Sequence, residues 1–160
     1  MNELETRVSE LESKVRALEA GNQIRHLMSQ YARGVDERRP DILREIFAAD
    51  ARFVVPAWEI ELEGLDQLMD FFERYWSSFD NPRRYYANED ITVAGDSATA
   101  FMYWHVTQEQ GDDSVLGWGT YDWRFRCADG RWLIESEIVH VRVMTTLEQG
   151  WSEKRQQMRL

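Results

Sequence analysis

The sequence has little that would staple it, anchor it or attract a nucleic acid. A single cysteine, Cys127, in 160 residues excludes an internal disulfide, and its setting (FRCADGRW) offers no metal-ligand spacing. No run approaches the ~18 apolar residues of a membrane-spanning helix. The N-terminus is charged and has no apolar signal segment, so the expectation is a soluble, cytoplasmic protein with no membrane partner. Positive charge is scarce: 19 Lys+Arg stand against 29 Asp+Glu, for a net charge of -10. A field of that sign repels phosphate backbones and argues against nucleic acid as a partner. Also missing are H-E-x-x-H, G-x-S-x-G, a P-loop and G-x-G-x-x-G, so the chemistries they serve have no support here.

What is present is apolar and aromatic. At 43% apolar and 12% aromatic residues the chain can build one packed core, and its length fits one domain. The 7 Trp and 6 Tyr supply large rings with polar tips, which suit the walls of a small-molecule pocket.

Residues 1–22 read as a helical extension. Leu4, Val8, Leu11, Val15 and Leu18 alternate spacings of four and three, with Asn22 on the next heptad step. One reading is an amphipathic helix packed on its own domain. The stripe is narrower than a globular helix normally shows, which favours a helix–helix contact between subunits. From Ile24 the stripe widens, and Leu27, Met28, Tyr31 and Val35 share its face while His26 and Arg33 turn away. Gly34 is expected to loosen the end of this helix. Pro40 then opens a short second helix, DILREIFA.

Short extended runs, ARFVVP and WEIELEG, follow as a hairpin around Pro56. Residues 65–79 return to helical period. Four longer extended segments come last: RRYYANEDITV, SATAFMYWHVTQ, SVLGWGTYDWRFR and RWLIESEIVHVRV. The turn signals AGD, QGDD and ADG separate them and point to antiparallel pairing. The glycines of LGWGTYD look like bends in a curved sheet. Helices first and then mostly antiparallel strands is an α+β pattern, in which a long sheet curls around its helices into a cone. The cone domain is placed at 23–146 and a polar tail at 147–160.

Tyr-x-x-x-x-Asp on a helix, "FAADARFVVP", "N-x-x-I-T-V-x-GDSATA" and "Y-x-x-x-F-x-x-x-DGRWLI", in this order, resemble the SnoaL-like branch of the nuclear transport factor 2-like superfamily. The resemblance spans roughly residues 20 to 145. It implies a cone-shaped α+β barrel, a curved sheet around a deep apolar pocket with an extended N-terminal helix. It also implies proton-transfer chemistry without metal or organic cofactor, and a homo-oligomer, a trimer in preference to a dimer. The branch holds dehydratases, cyclases, isomerases and non-catalytic binding proteins, so the fold alone does not choose among them. Dehydratase-like members use a tyrosine and an aspartate where Tyr31 and Asp36 stand. Where they carry a histidine, four residues before the Asn of "N-x-x-I", this chain has Arg84. Their late-strand arginine corresponds to Arg142 if one residue of shift is allowed.

The residues themselves leave alternatives open. Tyr31 is either a core tyrosine with a backbone partner or a pocket hydroxyl able to donate to a developing oxyanion or a leaving group. Asp36 is either a solvated turn residue or, turned inward, a general base. Alternation in the last strand puts Ser136, Ile138, His140 and Arg142 on one face, and Glu137, Val139 and Val141 on the other. The first face is preferred as the cavity face, which makes His140 a base and leaves Glu137 as the alternative. In the middle strand alternation sets Met102, Trp104 and Val106 opposite Tyr103 and His105, and the resemblance implies that the first set is the pocket wall. Trp58, Tyr86 and Tyr121 are candidate wall rings, and Arg84 a candidate cation at the mouth. Taken with the resemblance, these residues imply a cofactor-independent lyase, a dehydratase or related elimination or carbon–carbon cleaving enzyme. Its substrate would be a small hydrophobic aromatic or polycyclic molecule. An isomerase or cyclase, or a binding module, is the alternative.

Overall fold

The computed structural model describes residues 2–152; residues 153–160 of the polar tail lie outside the described residues. The chain opens with one unbroken helix, α1 (Glu3–Asp36). Asn2 caps it: its side chain accepts from the Glu5 N–H at 2.9 Å, and the Glu5 carboxylate accepts from the Asn2 N–H at 2.8 Å. This reciprocal box satisfies two of the four orphan donors at the helix start. Residues 3–19 are all exposed, whereas Ala20, Ile24, Met28, Tyr31 and Val35 are buried. Among the described residues no helix is long and apolar enough to cross a membrane.

α1 does not loosen at Gly34, contrary to the expectation from glycine's low helix propensity. The glycine serves packing instead. A Cβ there would lie 2.7 Å from Cδ2 of Leu43 on α2 (Pro40–Ile46), so the missing side chain lets the two helices meet. Pro40 occupies the first turn of α2, where its fixed φ helps and its absent N–H costs nothing.

β1 (Phe47–Val55) and β2 (Ile60–Glu63) form the hairpin around Pro56, and α3 (Leu65–Ser78) follows. Four long strands complete the chain: β3 (Asp80–Ala94), β4 (Ser97–Gln110), β5 (Asp113–Ala128) and β6 (Arg131–Thr146). The sheet order is β2-β1-β6-β5-β4-β3, antiparallel throughout except for the parallel β1–β6 pair. This is the expected α+β cone: an open, curved sheet whose inner face is covered by the helices. Trp123, Phe125, Phe72, Phe79, Ile24 and Leu68 fill the space between.

Two bulges shape β6. Pairing with β5 passes from Arg124↔Ser136 to Phe125↔Ile134, leaving Glu135 extra, and from Trp118↔Val143 to Gly119↔Val141, leaving Arg142 extra. Each extra residue bends the strand and shifts which side chains face inward. Trp132 and Ile134 point in, then Glu137, Val139 and Val141, then Met144. Gly119 sits at the second bulge, where a Cβ would collide with the His140 carbonyl oxygen. The sequence's bend-forming glycine therefore marks a close backbone approach. Gly119→Ala is expected to cost more than the ~1–3 kcal/mol of ordinary overpacking, because backbone must move. Gly34→Ala should fall within or below that range, because the Leu43 side chain can swing and alanine favours the helix. Urea unfolding of both variants checks this, and equal losses would contradict the account.

Candidate functional site

Tyr31 projects from the buried face of α1 into a cage of rings. Trp123 lies at 5.1 Å, Phe47 and Tyr121 at 6.0 Å and Phe72 at 6.2 Å, all edge-on. Such contacts fix the ring and leave the hydroxyl as its only adaptable part. The ring is also one wall of a cavity that Val35, Phe53, Trp58, Tyr75, Arg84, Trp104, Tyr121 and Met144 help to enclose. The cavity volume is about 50 Å³, room for a few waters, within an empty envelope of about 460 Å³ that includes its open side. The walls are mostly carbon, so the few polar atoms decide the chemistry.

Arg84 on β3 is the cation of the site. Its side chain is only 7% exposed. Nε donates to Asp36 Oδ1 at 2.6 Å, and the Arg84 backbone N–H donates to Oδ2 at 2.8 Å. Nη2 donates to the Tyr75 hydroxyl at 3.0 Å, and that hydroxyl in turn donates to Gln108 Oε1. The guanidinium carbon lies 5.9 Å from the Tyr31 ring centre and 5.7 Å from that of Tyr75, within cation–π range. Asp36 is thus no free turn charge: both its oxygens are committed to Arg84.

Glu137 is the second carboxyl. It is fully buried on β6, opposite Trp123 on β5 and Phe53 on β1, behind the wall that Tyr31 and Tyr121 form. Burial pushes its pKa up to about 8, against the opposing pull of the Tyr31 hydroxyl and the Arg84 charge. Tyr31 is near enough to lower that value, but among the described residues neither carboxylate oxygen has a hydrogen-bond partner. Burial likewise raises the Tyr31 phenol well above its usual range, and the neighbouring Glu137 adds to the shift. The phenol is a donor at neutral pH.

Several expected residues do come together. Tyr31, Arg84, Trp58, Trp104 and Tyr121 line the cavity, Asp36 is bonded to a lining residue, and the half-buried Tyr86 packs edge-on against Tyr121 at 5.6 Å. Met102, Trp104 and Val106 face inward while Tyr103 and His105 face out, the set that the family resemblance implied. The last strand must be corrected. His140 lies on the outer face of the sheet, where Nε2 pairs with Asp122 Oδ2 at 2.8 Å, and Arg142 is exposed at the bulge. Neither enters the cavity, because the extra residue at Glu135 reverses the inward set and brings Glu137 in instead. Tyr75 and Gln108 were not anticipated. Tyr75 lies four residues after Phe71 and three after Phe72, a stripe that could have identified it; nothing in the sequence marks Gln108.

A curved open sheet, helices across its mouth and an aromatic cavity with an Arg–Asp pair define a cone-shaped α+β pocket protein. More narrowly, the chain belongs to the family of SnoaL-like domains, which it matches over residues 16–136. No curated protein matches the sequence. Among solved structures the fold is similar to the hexachlorocyclohexane dehydrochlorinase LinA-type3 from Novosphingobium barchaimii, with 20% identity and a TM-score of 0.77 over 86% of this chain and 96% of that one. It is also similar to a scytalone dehydratase candidate from Novosphingobium aromaticivorans, with 17% identity and a TM-score of 0.73 over 88% and 93%. At these identities the likeness is one of fold.

The Glu137 carboxyl couples stability to pH. A carboxyl whose pKa rises from 4.5 to about 8 on folding adds stability that is full below pH 4.5 and is lost as pH rises through about 8. The loss is on the order of a few kcal/mol. Urea unfolding at pH 6 and pH 9 should show the wild type weakening at the higher pH and Glu137→Gln weakening far less. Equal slopes in the two proteins would remove Glu137 as the cause.

Proposed function

We propose that this protein is a cofactor-independent lyase, a dehydratase or related elimination enzyme, acting on a compact hydrophobic ring compound. The observation that carries the reading is the Tyr31 phenol set in an apolar cavity wall beside the ion-paired Asp36 and Arg84. Asp36 gives up one of its two bonds to Arg84 when the substrate binds and takes a proton from a carbon next to a carbonyl. Arg84 and Tyr75 stabilise the negative charge that develops on the carbonyl oxygen. Tyr31 gives its proton to the departing hydroxyl, which leaves as water, and the proton taken up by Asp36 then returns to the phenol. Glu137, protonated below about pH 8, keeps a second negative charge away from the Tyr31 ring. Among the described residues the buried indole N–H groups of Trp58 and Trp104 have no partner, and both rings line the cavity. Their unmet donors favour a ligand bearing oxygen or another acceptor. The enclosed volume of about 50 Å³ is smaller than a ring, so a ring substrate must also occupy the open side of the cavity.

A binding module is the second reading, and one observation favours it. His26, His105 and His140 all lie outside the cavity, so no imidazole is available to carry protons there. Native mass spectrometry of the purified protein would identify a retained ligand, and incubation with that compound distinguishes turnover from simple holding.

For the lyase, Tyr31→Phe and Asp36→Asn should each lower kcat by about 10²–10⁴-fold with the fold intact by circular dichroism. Near-full activity in both variants would refute the assignment.

A further inference from the structure

The first half of α1 carries two faces with different destinations. Taking roughly 100° per residue, the buried set Ala20, Ile24, Met28, Tyr31 and Val35 and the seam Leu4, Val8, Leu11, Val15 and Leu18 point about 160° apart. The seam therefore cannot be the domain's own packing face extended toward the N-terminus. Its five residues are 45–70% exposed, an apolar stripe on a helix already capped and anchored by the domain. Preformed in this way, the helix loses little entropy on pairing, which matters for a seam under three heptads long.

We propose that this seam binds a second copy of the same chain as a parallel, in-register, two-stranded coiled coil. The charges flanking the seam specify the partner. With Val8 and Val15 at position a and the leucines at d, the g positions hold Arg7 and Lys14 and the e positions hold Glu5, Glu12 and Glu19. In a parallel pair each g residue faces the e residue of the partner's next heptad. Arg7 then meets the partner's Glu12, and Lys14 meets the partner's Glu19. An antiparallel pair would instead set basic residues against basic and glutamates against glutamates. The seam residues choose the number of strands. β-branched residues at a with leucine at d favour two, and Asn22, exposed on the next a position, is the polar residue that fixes register and dimeric state. The heptads thus select a dimer over the trimer that the family resemblance implies. The two cone domains would hang from one end of a shared stalk, oriented alike.

The test is the mass of the full chain by multi-angle light scattering over a concentration series, since a short seam associates moderately. The expected mass is twice the 19.0 kDa chain. Combining Arg7→Glu with Lys14→Glu should weaken the dimer by about tenfold or more, and adding Glu12→Lys and Glu19→Lys should restore it. Leu4→Cys should form a disulfide-linked dimer under mild oxidation, because only the parallel register brings the two copies of position 4 together. All the substituted residues are exposed on the stalk, so the domain should stay folded. A monomeric or trimeric wild type would overturn the proposal, as would a dimer indifferent to the charge reversal or a Leu4→Cys variant that does not cross-link.

Discussion

The ion pair between Arg84 and Asp36 ties together the parts that make the cavity. It joins the last turn of α1 to β3, the edge strand farthest from β1, and so holds the helix across the sheet's inner face. Arg84 then reaches Tyr75 on α3, and Trp76 of the same helix donates to the Val35 carbonyl of α1 at 2.8 Å. One guanidinium thus links two helices and the sheet at the rim of an otherwise apolar space. Breaking such a pair by removing one partner leaves a buried charge uncompensated and costs on the order of 3–5 kcal/mol. A hydrophobic replacement of both residues could be as stable, so stability alone does not explain the pair. Its value here is in aiming a fixed positive charge between two phenol rings.

The second constraint is the irregularity of β6. A strand without bulges would carry Trp132 and Ile134 inward together with Ser136, Ile138 and His140. The extra residue at Glu135 reverses that set, so a carboxyl enters the interior and the imidazole faces Asp122 on the outside. A single inserted residue therefore changes the acid–base character of the site. The buried acid is held protonated up to about pH 8, whereas Asp36 is ion-paired with Arg84, so the two carboxyls of the site stand in different surroundings.

The sequence on its own determined the elements and their order. Periodicity located α1, α2 and α3, the hairpin at Pro56 and the four long strands to within a few residues, because each is a local pattern of burial with a local turn between. The same local information identified the heptad seam and put Trp104 and Val106 on one face of β4, which the family resemblance marked as the inner one; the alternation holds because β4 runs without interruption where it pairs with β5. The tertiary structure decided everything that depends on an exception to a period or on contacts distant in sequence. A bulge leaves no clear mark in the sequence, so alternation favoured the His140 face of β6 as the inward one, and only the register with β5 reversed it. Gly34 read as a weak point, and only the approach of Leu43 made it a packing residue. Asp36 meets Arg84 across 48 positions of chain, a pairing no spacing rule predicts. Tyr31 and Asp36 were legible as candidates from one helix; what surrounds them was set by a sheet that folds back from the other end of the molecule.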